Sequence, residues 1–582
     1  MKNILFKFNV INLSCTLIYI FLGLAIICSI PTIVFAVDLA EQIPGSTDAA
    51  KFKSNEDGED IVEQMKNLDQ EEIVIPDFEE DQYVDIPKNA SDIKLLLKDI
   101  KIEGMTLFSK KDVINFYLPY LYNEITLDLV YKVAEKITNL YRKKGYFISK
   151  AYLPSQRINK GIVTINVIEG YIGDIELEEK FKQQYVIKKA IEKILTEKPL
   201  NIKSLESLLL RLNDLPGYYF KSTLKSLDGN KNGAIQLSLK VEPKKAKGKL
   251  SLDNFYSRFA GPQGLSFSHS DSLLPLQQTT ISSVINKFKI KKLSYLMFNH
   301  AIAMSLKTTF DLSVSSAKSY PGYVLKPLNI KSLSDVISSG ISYHVIRQRD
   351  HNLDLKFSIN IKNSNSYIKD VLFTKDKIRV LRTGMVYDVR GNNSYSSINF
   401  TISNGIKILQ ASQRGEDNIS RANAKPTFNK LDLSVSHLRK ITTNWSLMLS
   451  FSGQYADSSV FSSEEFGYGG QTFGRAFDSN EISGDHGLSG AIEINYNKLL
   501  DLKSLNLIPY VFYDIGAVFR KDPNRKRREG GASTGFGCRV AVGEYLQGNI
   551  GIAWPLIRKI ATPIYGDPSG YPRILLQVSL LY

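Results

Sequence analysis

Between residues 245 and 582 the chain alternates apolar and polar side chains over short segments and shows no helical spacing. In the last segment Gln577 and Ser579 separate an apolar row that consists of Ile574, Leu576, Val578, Leu580 and Tyr582. An apolar face opposite a polar face over about 10 residues is typical of a strand that crosses a bilayer. At roughly 21 residues per strand and connection, the region has room for about 16 antiparallel strands. We therefore predict a transmembrane β-barrel, with a large soluble β-sandwich or propeller as the alternative.

The N-terminus has the features of an export signal. Two lysines precede an apolar stretch over Val10–Ile30, and a small residue, Ala36, follows it. This pattern predicts a signal peptide over 1–36, cleaved after Ala36. The alternative is an uncleaved anchor, because the apolar stretch is long enough to span a membrane. Of the three cysteines only Cys538 lies outside this segment, so no internal disulfide is expected.

Charge is segregated along the chain. Residues 37–92 contain 17 acidic residues and only 4 lysines, which predicts an acidic N-terminal linker without a stable fold of its own. The remaining residues, 93–582, carry a net charge of +26. A basic body often binds nucleic acid, but an exported chain meets anionic lipids or acidic partners first. We therefore expect no nucleic-acid partner.

Two copies of a small α+β unit of about 75 residues lie before the alternating region, over 93–170 and 171–245. Each copy is predicted to follow the order β-α-α-β-β. In the first copy a strand is predicted over 93–104, and Ser109 with Asp112 predicts a capping box that opens a short helix. Both copies are soluble in pattern and separate the linker from the predicted barrel.

Three groups of residues carry a family resemblance. The second half of the chain contains Gly474-Arg475-Ala476-Phe477 and Phe512-Tyr513-Asp514-Ile515-Gly516. The end of the first α+β copy contains Gly145, Tyr146, Pro154, Gln156, Glu169 and Gly170. In this order they resemble the loop tip, the F-x-D-x-G strand and the first POTRA domain of the two-partner secretion transporters, the TpsB-type haemolysin secretion/activation family. The resemblance covers 93–582 and implies POTRA domains over 93–170 and 171–245 before a 16-stranded barrel over 246–582.

The resemblance also implies a long loop around 461–487 that folds back into the barrel and pairs Arg475 with Asp514. Physical reasoning supports this pair, because Asp514 shares the polar face of its strand with Phe512 and Gly516. A carboxylate inside a barrel needs water or a cation as its partner. We predict an ion pair that holds the loop, with both side chains facing pore water as the alternative.

The loop tip departs from the family's usual V-R-G-Y or V-R-G-F. Gly474 stands in place of Val and Ala476 in place of Gly, whereas Arg475 and Phe477 keep the pattern. Gly adopts positive φ readily and Ala does not. We therefore expect a different backbone at this tip.

The resemblance implies a function in the outer membrane of a Gram-negative bacterium, with the POTRA domains in the periplasm. The implied partner is one large secreted exoprotein, such as a haemolysin, adhesin or contact-dependent toxin, bound through its N-terminal secretion domain. Outer-membrane lipid or lipopolysaccharide and the barrel-assembly machinery are further implied partners, and no cofactor or metal is implied. The alternatives are a barrel-assembly insertase of the same superfamily, which typically has more POTRA domains, and a passive porin, which would explain neither repeat.

No enzymatic site is predicted. Gly531-Ala532-Ser533-Thr534-Gly535 fits G-x-S-x-G, but it opens a predicted strand, and no His follows His486. The six histidines show no metal-ligand spacing. A surface enzyme on a barrel would need an additional soluble domain, which the chain lacks. The basic run Arg525-Lys526-Arg527-Arg528 is predicted to be a solvated extracellular loop with a contact to lipopolysaccharide phosphates as a further option.

Overall fold

The computed structural model describes residues 49–51, 87, 89–158, 160–227, 233–286, 293–497, 500–502, 505–523, 525–557 and 572–582. The predicted signal peptide lies outside these residues, as does most of the predicted acidic linker, and both stay predictions. Across the described ranges, no helix combines the length and the apolar character that a membrane crossing requires.

The first α+β unit has two α-helices and five β-strands in the described chain. They are β1 (Lys94–Leu96), β2 (Asp99–Glu103), α1 (Lys110–Val113), β3 (Glu124–Thr126), α2 (Leu127–Lys143), β4 (Lys150–Tyr152) and β5 (Ile162–Ile168). The central strand β5 runs parallel to β2 and antiparallel to β4. One face of α2 packs on this sheet through buried residues spaced three or four apart: Val130, Val133, Ala134, Ile137 and Tyr141.

Two details of the first unit bear on the sequence predictions. The capping box is present, since the Asp112 carboxylate accepts the Ser109 backbone N–H at 2.8 Å. The single strand predicted over 93–104 is wrong, because the chain forms two strands with different partners. β1 pairs with β3, whereas β2 pairs with β5. The apolar pattern continues through the break because Leu97 is itself fully buried in the core.

The second α+β unit repeats the same plan. Its elements are β6 (Tyr171–Glu176), α3 (Glu179–Lys182), α4 (Tyr185–Leu195), α5 (Ile202–Asp214), β7 (Tyr218–Ser226) and β8 (Ala234–Pro243). The three-stranded sheet has the same arrangement as β2, β5 and β4 of the first unit: the last strand, β8, is central, with β6 parallel to it and β7 antiparallel. The predicted repeat is therefore visible in the sheet order of both units.

Sixteen long strands of the described chain form a closed antiparallel barrel. Eleven precede its longest loop: β9 (Lys247–Asp253), β10 (Gly264–Asp271), β11 (Gln277–Asn286), β12 (Leu293–Ser305), β13 (Thr308–Ser319), β14 (Ile330–Arg347), β15 (His351–Ile368), β16 (Val371–Gly391), β17 (Ser394–Gly405), β18 (Asn429–Lys440) and β19 (Trp445–Ala456). The loop contains β20 (Phe466–Tyr468) and β21 (Ile482–Gly484). After it come β22 (His486–Tyr496), the short β23 (Leu500–Leu502), β24 (Leu505–Phe519), β25 (Arg528–Val542), β26 (Leu546–Pro555) and β27 (Arg573–Leu581).

Strand alternation separates an outward apolar face from a lumenal face. On β24, Val511 is 52% exposed, whereas the neighbouring Phe512 and Asp514 are buried. The apolar row predicted on β27 is likewise exposed along its whole length. The prediction of a transmembrane barrel of about 16 antiparallel strands is thus confirmed, and the β-sandwich and propeller alternatives are wrong.

The barrel closes between its first and last strands. β9 and β27 pair over five register positions from Gln577↔Asp253 to Leu581↔Lys249. Beyond them, Tyr582 exchanges backbone hydrogen bonds of 3.0 Å with Gly248, and its hydroxyl lies 2.9 Å from Nδ1 of His269. A Cβ on Gly248 would lie 2.0 Å from the Tyr582 ring, so this closure requires glycine there.

Candidate functional site

The loop between β19 and β22, residues 457–485, folds back into the barrel lumen. Its central part is a small hairpin in which β20 pairs with β21. Beyond the hairpin, the loop tip reaches lumenal side chains of β22, β24 and β25. The sequence predicted an inward-folding loop around 461–487.

Arg475 at the loop tip contacts Asp514 of β24 directly. Its Nη2 donates to Oδ1 at 2.9 Å, and its Nε lies 3.3 and 3.2 Å from the two carboxylate oxygens. The backbone N–H of Arg475 also donates to Oδ2 at 3.0 Å, and Ser533 Oγ donates to the same oxygen at 3.1 Å. Arg475 is 8% exposed and Asp514 fully buried, so neither side chain simply faces open pore water.

Glu493 of β22 gives Arg475 a second carboxylate. Nη1 of Arg475 donates to Oε2 of Glu493 at 2.6 Å, while Nη2 of Arg539 lies 2.8 Å from Oε1. The Arg475 guanidinium also stacks on the Phe512 ring, 3.6 Å from its centroid. Two guanidinium groups therefore balance two carboxylates in a buried network. Such a network is stable only while all its members are paired.

Aromatic packing completes the predicted loop motif. The Tyr468 ring covers Gly516, where a Cβ would lie 2.3 Å from the ring, and it also lies against Gly474. The ring centroid of Phe477 is 6.0 Å from that of Tyr468. Because Gly516 has no side chain, the Tyr468 ring of the loop packs directly on the backbone of β24.

We expect Gly474→Val, which introduces the family's usual residue, to loosen the loop. Gly474 has φ of +71°, a conformation that costs a β-branched residue about 1–2 kcal/mol, and its Cβ would lie 2.8 Å from the Tyr468 ring. Protease cleavage of the loop in intact cells should become faster. Gly415→Val is the matched control, since Gly415 also has positive φ but no atom within 4 Å of its Cβ. Unchanged cleavage in Gly474→Val would contradict this explanation.

Two adjacent glutamates fix the start of the loop, and sequence reasoning assigned them no role. Glu464 is buried among three cations: Arg382 and Lys430 at 3.0 Å and Lys362 at 3.3 Å. It is the anion at the centre of this group, with a side chain only 2% exposed. The sequence did contain a signal for this role, because Glu464 and Glu465 are adjacent acidic residues in a strongly basic part of the chain.

Glu465 binds a second group of cations from distant parts of the chain. Its carboxylate lies 3.1 Å from Arg421, 2.7 Å from Arg525 and 3.2 Å from Lys51 of the N-terminal segment. The interpretation of the basic run as a freely solvated loop is therefore wrong for Arg525, because that side chain turns inward to a carboxylate. Lys526 and Arg527 are exposed.

The POTRA motif glycines lie between the two α+β units. Gly145 ends the turn after α2 with φ of +90°, and its carbonyl accepts the Ile202 N–H at 2.8 Å. The Gly170 carbonyl accepts the Leu200 N–H at 2.8 Å. The second unit is thus attached to the first through backbone groups that a larger side chain would crowd.

The other POTRA motif residues act inside the first unit. The side-chain amide of Gln156 makes two hydrogen bonds to the backbone of Thr164, as a neighbouring strand would. Its Nε2 donates to the Thr164 carbonyl at 2.7 Å, and its Oε1 accepts the Thr164 N–H at 2.8 Å. The Pro154 carbonyl lies 3.4 Å from the same Nε2. Tyr146 packs edge-on against Tyr141 at 6.3 Å between ring centroids.

Glu169 anchors the segment that follows β2. Its carboxylate accepts the backbone N–H groups of Thr106 and Leu107 at 2.8 and 3.0 Å and the Tyr141 hydroxyl at 2.5 Å. Burial alone would raise the pKa of Glu169, but the hydrogen bonds from Thr106, Tyr141 and Leu107 outweigh it and lower the pKa.

Acidification should therefore release this segment. Because the pKa of Glu169 is lowered by folding, its contribution to stability is complete above the unfolded pKa, about 4.3, and is lost as pH falls through the folded pKa. We expect faster hydrogen exchange at the Thr106 and Leu107 amides in acid. Glu169→Gln should exchange faster already at neutral pH, whereas the exposed Glu103→Gln should not. Identical exchange in all three proteins would contradict the assignment.

The G-x-S-x-G serine and the possible metal ligands can be located in the described chain. Within the described ranges, no three His, Cys, Asp or Glu side chains are grouped as metal ligands. Ser533 of the G-x-S-x-G match is fully buried on β25 and donates to Asp514. That serine is therefore part of the loop-binding network.

A family model described as haemolysin secretion/activation protein ShlB/FhaC/HecB matches residues 234–540, more than half of the chain. The chain belongs to this family. A second model, the ShlB-type POTRA domain, matches residues 95–170. Family members are outer-membrane transporters rather than enzymes, and the POTRA domains of this one face the periplasm.

Curated relatives and solved structures agree with this membership. The heme/hemopexin transporter protein HuxB of Haemophilus influenzae is 24% identical over 68% of this chain and 71% of its own. The outer membrane transporter CdiB of Dickeya dadantii is 21% identical over 79% of this chain and 82% of its own. The solved structure of CdiB from Escherichia coli has a TM-score of 0.68 at 17% identity, covering 90% of this chain and 96% of that one. This likeness shows a shared fold.

Proposed function

We propose that this transporter exports one large partner exoprotein, such as a haemolysin, adhesin or contact-dependent toxin, as an extended chain through the barrel lumen. The observation that carries the proposal is the loop held inside the lumen by the Arg475, Asp514 and Glu493 network. A passive porin needs no such buried assembly, whereas a conduit for a polypeptide must be closed at rest.

The POTRA units supply an uptake surface for the N-terminal secretion domain of the partner. The sheet of the first unit ends in β2 and β4, and that of the second in β6 and β7. Edge strands present unpaired backbone groups that can add a strand of a partner. The nine-residue β7 is the longest of these edges. In this proposal the partner is captured there before it enters the barrel.

The resting lumen also holds part of the N-terminal segment. The Ala49 backbone N–H donates to Ser332 Oγ at 3.1 Å, and Lys51 Nζ lies 3.2 Å from Glu465 Oε2. The lumenal loop and the N-terminal segment are therefore joined by an ion pair. Opening of the pore by the partner must break it.

We expect Lys51→Glu to open the pore without a partner. The change places two carboxylates beside each other in a buried position, where like charges repel strongly. In planar lipid bilayers the open fraction of the purified channel should rise several-fold over the unchanged protein. Lys369→Glu, at an exposed hairpin tip, is the control for charge alone. Equal open fractions in both variants would contradict the closing role of Lys51.

Deletion of the gene tests the function itself. One large surface protein should disappear from the cells while other outer-membrane barrels continue to assemble. Loss of many barrels would instead favour a barrel-assembly insertase.

The proposal also includes insertion of this barrel by the barrel-assembly machinery and contact of the exposed Lys526 and Arg527 with lipopolysaccharide phosphates.

A further inference from the structure

A cavity lined by both polar and apolar side chains lies on the outer surface of the barrel near its periplasmic end. β9, the first strand of the barrel, begins on the periplasmic side. Counted from β9, the second, fourth and every further even strand therefore ends on the periplasmic side, and β18 is the tenth strand. The C-terminal end of β18, at Lys440, is therefore periplasmic. The cavity of about 380 Å³ lies at this end, against the neighbouring β19.

The side chains of His437, Arg439, Leu447 and Leu449, which line the cavity, point away from the lumen. On β18, Lys430 reaches inward to Glu464 of the loop, whereas the adjacent Leu431 is 41% exposed on the outer face. Strand alternation puts His437 and Arg439 on the same outer face as Leu431. On β19, Gln454 contacts the lumenal loop, so Leu447 and Leu449, which also line the cavity, face outward.

His437 is an unusual residue for a lipid-facing surface. It is only 2% exposed, and its Nδ1 lies 2.8 Å from Ser396 Oγ. In the described part of the chain, its Nε2 is buried without a hydrogen-bond partner. A buried polar nitrogen left unpaired is costly, so its presence at the cavity indicates a ligand group.

Cationic and apolar groups divide the cavity between them. Arg439 and Lys440 of β18 line it together with Asn393, and Leu447 and Leu449 line it from the neighbouring β19, with Arg439 directly opposite Leu447. Arg439 is exposed. An exposed guanidinium beside apolar side chains matches a phosphate ester attached to acyl chains.

Aromatic residues place the cavity at headgroup depth. Trp445, at the start of β19, is 46% exposed and packs edge-on against Tyr496, with 4.9 Å between ring centroids. Exposed Trp and Tyr at barrel ends mark the membrane interface. Arg439 and His437 lie two and four residues further into the bilayer along the paired strands, opposite Leu447 and Leu449.

We propose that this cavity binds the phosphate-bearing headgroup of a glycerophospholipid from the periplasmic leaflet. Arg439 contacts the phosphate, His437 Nε2 donates a hydrogen bond to the headgroup, and Leu447 and Leu449 contact the acyl chains. The site is independent of the export proposal, because no residue of the lumenal network takes part in it.

Native mass spectrometry of the full-length protein in detergent tests the site. The probes are dimyristoyl phosphatidylglycerol, dimyristoylglycerol without the phosphate, and inorganic phosphate. We expect the phospholipid to bind, and Arg439→Gln and His437→Leu each to weaken its binding about tenfold, the effect of one charged or buried hydrogen bond. Binding of dimyristoylglycerol should be weaker and unaffected by either change.

The control is Arg347→Gln, at the periplasmic end of β14, whose guanidinium already donates to Asn352 Oδ1 at 3.1 Å. Variants with a folded barrel are identified by heat-modifiable migration in gels. If His437→Leu does not fold, Arg439→Gln still tests the site, because Arg439 is exposed. Equal binding of the two lipids, or no effect of Arg439→Gln, would overturn the phosphate assignment. Inorganic phosphate binding as tightly as the phospholipid would overturn the lipid assignment.

Discussion

Asp514→Ala should abolish most export of the partner, because the change leaves the buried guanidinium of Arg475 with one carboxylate in place of two. Breaking a buried ion pair costs about 3–5 kcal/mol, and Asp514 also accepts the Arg475 N–H and the Ser533 hydroxyl. The loop tip then loses its fixed position in the lumen. We expect at least a tenfold drop in secreted exoprotein, since each 1.4 kcal/mol corresponds to a factor of about ten.

A charge exchange separates the ion pair from a general loss of stability. Arg475→Asp with Asp514→Arg should restore part of the export that each single change removes, because the two charges still face each other. Asp311→Asn, a half-buried aspartate on β13 that accepts a Ser342 hydroxyl, is the matched control and should secrete normally. A double variant no better than the single ones would contradict a direct pairing role.

Glu464→Gln should strongly destabilise the barrel at the start of the loop. The substitution keeps the shape but removes the charge that balances Lys362, Arg382 and Lys430. The buried Lys430 and the partly buried Lys362 and Arg382 then repel one another, and the loss of the buried partner of Lys430 alone costs about 3 kcal/mol. We expect a clear fall in the temperature at which the purified barrel loses its heat-modifiable migration in gels.

The control for this change lies in a solvent-exposed loop. Glu416→Gln also removes one acidic charge, but the Glu416 side chain is exposed between β17 and β18. It should leave the unfolding temperature unchanged. Equal unfolding temperatures for the two variants would contradict this prediction. They would show that solvent, and not the Glu464 carboxylate, stabilises the three surrounding cations.

The barrel could be predicted because strand alternation is a local property of the sequence. Tyr513 faces outward and Asp514 inward on β24 solely because adjacent side chains of a strand point to opposite faces. The same rule places the apolar row of β27 on the lipid side. The break between β1 and β2 was missed because the buried Leu97 preserves the apolar pattern across it.

The lumenal network was only partly predictable, since its members are distant in sequence. The family resemblance indicated Arg475 and Asp514, whereas nothing in the local pattern joined Lys51 to Glu465, which are 414 residues apart. Arg525 appeared solvated because a run of basic residues is usually a surface loop. Its partner is a carboxylate of another loop, which only the closed barrel brings near it.

The POTRA motif shows a related limit. Gly145 and Gly170 could be identified as important, but their contacts to Ile202 and Leu200 depend on how two repeats are joined. Backbone hydrogen bonds between the two units do not change the spacing of apolar residues in either unit, so the sequence does not reveal them. Glu169 likewise binds a segment about 60 residues earlier in the chain.

Photo-crosslinking during secretion is the most direct test of a polypeptide passing through the lumen. A photoreactive amino acid at Asn360 would face the lumen, on the same side of β15 as Lys362, which contacts the loop. One at Phe357, which is 53% exposed on the outer face, is the matched control. Our account predicts crosslinks to one large exoprotein from position 360 and none from 357. Crosslinks to that exoprotein from 357 alone, or from neither position while export continues, would contradict it.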